Sequence, residues 1–214
     1  DFVQILGNVL DIGQPSDDTV TAAKINNDVI SGQTALTAEP DDTDEFLVSD
    51  AGTIKRIDYS LIKPTNTAEF LAYRGSSTQT GIADNVTTKL EFNTESFDPD
   101  SVFDNSTNYR FVAPSAGKYM LYTNIHIYDS STSIQTFNLK FYKNGSKYSQ
   151  TYLLTNSDDL LKYAHLSLTQ VANLSASDYI EVYAQVNTVD GGSTDLEHES
   201  GIMQNYFGGY KLIT

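Results

Sequence analysis

Large apolar and polar side chains alternate along much of the chain from residue 68 to its end. A period of two puts successive residues on opposite faces of a β-strand. It predicts strands at EFLAYR (69–74), VTTKLEF (86–92), YRFV (109–112), KYMLYTNIHIYD (118–129) and IQTFNLKFYKN (134–144). It also predicts SKYSQTYLL (146–154), KYAHLSLTQVANL (162–174), DYIEVYAQVN (178–187) and NYFGGYKLI (205–213). Turn residues separate them, among them Pro114-Ser115-Ala116-Gly117, Asn144-Gly145 and Asp190-Gly191-Gly192. Asn-Gly is the strongest short hairpin signal, because a type I′ turn needs positive φ at both central residues. With no helical period in this segment, the expected fold class is all-β, a sandwich or a barrel.

One strand is unusual. In FVAPSAGKYMLYTNIHIY (111–128), Tyr119, Leu121, Ile125 and Ile127 point one way, and Met120, Tyr122, His126 and Tyr128 the other. An outer strand of a lone soluble subunit turns apolar residues inward and polar ones to water. Here both faces are bulky. DYIEVYAQV behaves alike, with Ile180, Val182, Ala184 and Val186 on one face and Tyr179 and Tyr183 on the other.

Residues 1–63 have a different texture, sparse and polar, and form the expected N-terminal stalk or attachment segment, joined through a linker at 64–67 to a head domain at 68–214. They hold only three aromatics (Phe2, Phe46 and Tyr59) against 21 in the remainder. A separate core is therefore expected only in the second part, since buried bulky side chains carry most of the stabilisation. EFLVSDAGTIKRIDYS predicts a hairpin over 45–59 turning at Ser49-Asp50-Ala51-Gly52, with Phe46, Val48, Ile54 and Ile57 as a thin apolar set. An isolated hairpin of this size is marginal in water, so the segment is expected to be disordered or to fold against something else.

The formal net charge is -15, spread over both parts. Such a chain lacks the basic clusters that neutralise phosphates, which argues against nucleic acid as a partner. An anionic membrane surface would repel it, and no apolar run nears the roughly 20 residues of a membrane-spanning helix. There is no cysteine, hence no disulfide or thiolate chemistry. The chain starts at Asp1 rather than Met, so a processed product or part of something longer is expected.

Catalytic motifs do not emerge. His126 and His165 sit inside alternating strands, and His198 lies in DLEHESG, which lacks the HExxH spacing. No GxSxG elbow or phosphate-cradling glycine loop occurs. The expectation is a non-enzyme with no catalytic residues and no cofactor. Clustered carboxylates suit a hard cation, and Asp190, Asp195 and Glu197 in DGGSTDLEHE are the better metal candidates, ahead of Asp98, Asp100 and Asp104. Neither cluster has EF-hand spacing.

The run from Phe92 through Asp98 and Phe103 to Phe111, Gly117 and Tyr119 is similar to the signature of the complement C-one-q and tumour necrosis factor superfamily. One extra residue separates Phe103 from Phe111, and Leu121 and Thr123 stand where that family usually has aromatics. FYKNG (141–145), SASDYIEVYA (175–184) and YFGGYKL (206–212) look like its later strands. The resemblance covers 68–214 and implies a ten-stranded jelly roll that assembles as a tight homotrimer. In such trimers one sheet face packs against neighbouring subunits, which would cover the second face of 118–128. Tyr122, Tyr128, Tyr179 and Tyr183 are therefore expected to include interface residues near a threefold axis.

The first segment resembles something else. DTVTAAKINNDVISGQTAL and EFLVSDAGTIKRIDYSLIK are similar to linker and hairpin modules of bacteriophage tail fibres. Together the two resemblances imply a trimeric virion fibre protein, extracellular on the particle. Its N-terminal segment would meet other virion structural proteins, and its jelly-roll head would recognise a host-surface glycan or protein. A capsid head fibre or decoration protein, and a secreted bacterial or eukaryotic C-one-q-like adhesion module, remain as alternatives. STSIQ (131–135), LLTNSDDLLK (153–162) and VDGGSTDLEHES (189–200) are the candidate receptor loops.

Overall fold

The computed structural model describes residues 25–26, 28–63, 68–156 and 159–212. The expectations for residues 1–24 and for the linker at 64–67 lie outside the described residues. The chain divides into two units, 1–63 and 64–214.

The first unit contains a four-residue helix α1 (Asp28–Ser31) and strands β1 (Glu45–Asp50) and β2 (Thr53–Asp58), followed by a 3-10 turn at Tyr59–Leu61. The strands pair antiparallel from Glu45↔Asp58 to Asp50↔Thr53. Ala51 (φ 49°) and Gly52 (φ 86°) form the two-residue loop, the I′ signature that matches strand twist. This register corrects the expected apolar set. Phe46, Val48 and Ile57 share a face, but Ile54 lies opposite Ser49 and so turns to the other side with Leu47.

The second unit is a two-layer sandwich. Its strands are β3 (Glu69–Tyr73), β4 (Gln79–Ile82), β5 (Thr88–Lys89), β6 (Thr94–Phe97), β7 (Phe103–Asp104), β8 (Arg110–Val112) and β9 (Gly117–Tyr128). They continue with β10 (Ile134–Lys143), β11 (Ser146–Leu154), β12 (Tyr163–Leu174), β13 (Tyr179–Thr188), β14 (Thr194–Leu196) and β15 (Tyr206–Lys211). One sheet runs β11-β10-β13-β8-β7, with β5 also on β13. The other runs β4-β14-β9-β15-β3-β6, with β12 on the free side of β9. The long strands lie close to their expected positions, and Asn144 (φ 51°) and Gly145 (φ 76°) make the expected turn.

Four short strands, β4, β6, β7 and β14, were not expected; their sequences are too brief and polar to show alternation. Conversely, 86–92 is not one strand. Only Thr88–Lys89 pairs with β13, although Leu90 and Phe92 are fully buried.

The core lies between the sheets. Phe70 stacks on Phe103 (5.2 Å between ring centres) and Phe111 (4.9 Å) and meets Phe207 edge-on at 4.9 Å. Phe92, Phe103, Phe111 and Tyr119, which carry the sequence resemblance, are all buried here. Asp98 accepts the backbone N–H groups of Val102 (2.9 Å) and Phe103 (2.8 Å), holding the loop that delivers Phe103 to the core.

Candidate functional site: the outer face of the seven-stranded sheet

β9 answers the question its sequence posed. Tyr119, Leu121, Thr123, Ile125 and Ile127 are buried in the sandwich, while Met120, Tyr122, Asn124, His126 and Tyr128 are only half-buried on the outside. Register then assembles the rest of that outer face. β12 sets Tyr163 opposite Tyr128, His165 opposite His126, Ser167 opposite Asn124, Thr169 opposite Tyr122 and Val171 opposite Met120. On the other flank β15 sets Tyr206 beside Asn124, Gly208 beside Tyr122 and Tyr210 beside Met120.

Each ring on this face is seated. A Cβ on Gly208 would stand 2.6 Å from Tyr122 Cζ and Oη, so the ring lies directly across the glycine. Tyr206 abuts it edge-on at 6.2 Å. Burial, reinforced by neighbouring Tyr206, pushes the Tyr122 phenol up. His126 stacks on Tyr163 at 5.1 Å, and Tyr163 also contacts Tyr128 at 5.2 Å. Asn124 Oδ1 accepts from Ser167 Oγ and lies 2.7 Å from His165 Nε2. Among the described residues His126 Nδ1 is sealed in without a hydrogen-bond partner.

The centre of this face, from Tyr122, Asn124 and His126 across to Thr169, Ser167, His165, Tyr206 and Gly208, has no Lys, Arg, Asp or Glu. On a chain of net charge -15 that absence is notable. Aromatic enrichment with charge depletion marks the centre of protein interfaces, and tyrosine suits such a place because its ring buries area while its hydroxyl keeps a partner.

The four tyrosines singled out from sequence do not come together. Tyr122 and Tyr128 lie on this face; Tyr179 and Tyr183 belong to β13, in the other sheet, and point from its opposite side. There the Arg110 guanidinium covers Tyr179 at 4.4 Å, and Tyr183 packs on Tyr142 at 4.3 Å. The Tyr183 hydroxyl donates to Glu181, which is ion-paired with Lys89. Burial first, then the Glu181 charge, pushes the Tyr183 phenol up to about 12. Lys140 Nζ donates to Thr87 Oγ1 (3.1 Å) and Gln185 Oε1 (2.6 Å), and burial lowers its pKa. This second face is charged, and its Lys89–Glu181 pair and Lys140 are satisfied within the chain, whereas the buried Arg110 Nε has no hydrogen-bond partner among the described residues.

Of the candidate metal ligands, Asp190 and Asp195 already engage their carboxylates in hydrogen bonds within the chain. Asp190 accepts from Ser133 Oγ (2.7 Å) and the Gly192 N–H (3.0 Å), bonds that hold its carboxyl below the usual range. Asp195 accepts from the Gly81 N–H at 3.1 Å, and Glu197 uses its backbone carbonyl to take Asn205 Nδ2 at 2.7 Å. Asp104 caps the Ser106, Thr107 and Asn108 N–H groups, which depresses its pKa strongly. Among the described residues no group of three or more His, Asp or Glu side chains is placed to hold a metal. Asp and Asn side chains bonding backbone N–H groups two or three residues on are common turn chemistry.

The candidate receptor loops shrink as well. Ser133 and Ile134 of STSIQ are buried, and β14 runs through VDGGSTDLEHES. Part of LLTNSDDLLK, residues 157–158, lies outside the described residues.

No family model matches the chain, and no curated protein does. Among solved structures it is similar to an Eiger TNF from S. frugiperda, with a TM-score of 0.51 and 13% identity over 70% of this chain and 94% of that one. Others are the globular domain of zebrafish complement 1qA protein (TM-score 0.46, 14% identity, 68% and 97% covered) and murine APRIL (0.47, 13%, 68% and 100%). The sandwich thus shares the jelly-roll fold of that tumour necrosis factor.

Proposed function

We propose that the protein is a homotrimeric fibre subunit of a virion, whose jelly-roll head binds a host-surface glycan or protein by contact rather than chemistry. The tyrosine- and histidine-bearing face of the seven-stranded sheet, uncharged at its centre, carries the assembly part of this reading. A lone subunit leaves Tyr163 and Val171 exposed there beside half-buried Met120, Tyr122 and Tyr128; neighbouring copies would cover them. Trimeric association also supplies multivalency, because linked weak sites gain roughly 100- to 10,000-fold in apparent affinity when geometry permits simultaneous engagement. Charge on the opposite sheet face and in the loops suits the part left in water.

The virion placement rests on the resemblance of residues 1–63 to fibre linker modules, and attachment to other virion proteins through that segment follows from it. Competition tests the functional half. The purified 214-residue chain added before the source particles should block their adsorption to host cells, with half-effect in the micromolar range or below. Undiminished adsorption at saturating protein would reject receptor binding and leave a decorating role.

A further inference from the structure

We propose that the outer face of the seven-stranded sheet is a pH-sensitive joint, holding copies together while His126 and His165 are neutral and releasing them when these imidazoles take up protons. The proposal rests on the trimeric reading above and deepens it by naming what regulates that surface. The two histidines stand opposite each other in the β9–β12 register, their rings 6.1 Å apart. The centre of the face is free of charge only while both rings are neutral. Histidine is the side chain that ordinarily changes charge between pH 5 and 8. The property that suits this face to an interface is therefore itself conditional on pH.

Hydrogen bonding decides where each ring keeps its hydrogen. Asn124 Nδ2 donates to the Gln204 carbonyl at 2.9 Å, which leaves Oδ1 for His165 and Ser167. An amide oxygen only accepts, so His165 Nε2 carries the hydrogen and Nδ1 takes the next proton. His126 Nδ1 is sealed without a partner among the described residues. The neutral ring avoids a stranded donor by keeping its hydrogen on Nε2, but an imidazolium carries hydrogen on both nitrogens. It would bury an N–H without an acceptor, which is unfavourable. In a free subunit water can reach the ring by local opening; beneath a neighbouring copy it cannot. Around the pair, Tyr163 stacks on His126 at 5.1 Å, and Tyr128 and Tyr206 flank it on β9 and β15. The charged groups stand at the rim: Lys162 Nζ lies 5.5 Å over the Tyr128 ring, Asp195 is opposite Tyr128, and Glu197 follows the end of β14. Among the described residues no carboxylate forms an ion pair with either imidazole.

Release takes up protons, so falling pH favours it. Each imidazole that is neutral in the trimer and protonated in the free subunit eases dissociation about tenfold per pH unit, and three copies of His126 alone give about 1,000-fold. Ordinary carboxylates titrate below this window. Sedimentation of the 214-residue chain in dilution series at pH 7.5, 6.5 and 5.5, with circular dichroism to check folding, reads the effect. The trimer dissociation constant should rise by about 1,000-fold or more from pH 7.5 to 5.5. In His126→Gln combined with His165→Gln the ratio between the two pH values should shrink to within about tenfold, whatever the absolute constants. His198→Gln should keep the full ratio, because His198 Nδ1 lies against the Arg74 carbonyl instead. Should the double variant misfold, His126→Phe, which keeps a ring on Tyr163, should lower the ratio by about 1,000-fold. A wild-type trimer equally persistent at pH 7.5 and 5.5, or a full ratio surviving in the variants that lack His126, overturns the proposal. A trimer at both pH values refutes only the switch, whereas a monomer at pH 7.5 refutes the trimeric reading as well.

Discussion

Gly208→Ala is the smallest change that tests how the sheet face is built. Gly208 is buried under the Tyr122 ring, and an added methyl would stand 2.6 Å from Cζ and 2.8 Å from Cε2. Carbon atoms prefer about 3.5–4.0 Å, so the ring must lift by about an ångström. Tyr206 blocks one side, which leaves outward movement. In a lone subunit that movement is cheap, since the ring swings toward water. In an assembly it drives a tyrosine into the neighbour. Overpacking of this kind costs about 1–3 kcal/mol, and a trimer contains the site three times. The dissociation constant of the trimer should rise by roughly two to six powers of ten, while the thermal midpoint of the separated subunit falls by a few degrees at most. Sedimentation velocity across a dilution series reads the first quantity. The cause is isolated by a double-mutant cycle, because Gly208→Ala added to Tyr122→Ala should cost no more than about 0.5 kcal/mol. An unchanged dissociation constant for Gly208→Ala, or a full penalty persisting without the Tyr122 ring, would refute this account of the face.

Phe207 touches Phe70, Phe92, Phe103 and Phe141 in the core, so Phe207→Ala should destabilise by about 3–5 kcal/mol and lower the calorimetric midpoint of the separated subunit by roughly 6–20 °C. Asp178 is held at about 2 by hydrogen bonds from Lys143, Asn144 and the Ser175 N–H. Because that pKa is depressed, its stabilisation is present above the ordinary carboxylate range and is lost as pH falls through about 2. Denaturant midpoints of wild type and Asp178→Asn should accordingly differ at pH 6 and converge near pH 1.5. Tyr183 behaves in the opposite sense: its phenol is raised to about 12, so its contribution is present below pH 10 and disappears as pH rises through about 12. Tyrosinate absorbance should show a late-titrating phenol that Tyr183→Phe removes.

The long strands were legible in sequence because alternation survives wherever a strand has at least five residues and one buried face. β9 and β13 even revealed which side faces the core, as Leu121 and Val182 illustrate. Their outer sides were harder to read. Tyr122 and Tyr183 look equivalent along the chain, and only sheet membership separates a surface uncharged at its centre from a salt-bridged one. Tyr163, Tyr206 and Gly208 belong to the same site but reach it through register with β9, information that no single strand contains. Alternation within 162–174 does put Tyr163, His165 and Ser167 on one side of their strand, without showing that the strand lies beside β9. Ile54 was misplaced in the hairpin set for a related reason, because the two-residue loop, not hydrophobicity, decides its face. β4 and β14 left no signal; their residues pair because the neighbouring strands position them, as Thr194↔Ile82 shows.

The most direct measurement is the native mass of the 214-residue chain at micromolar concentration and neutral pH. A subunit is 23.6 kDa. Covering the Tyr122–His126 surface by threefold association predicts a dominant species near three times that mass, persisting on dilution to the low micromolar range. A stable 23.6 kDa species across that range, with the tyrosines of this sheet open to solvent, would contradict it.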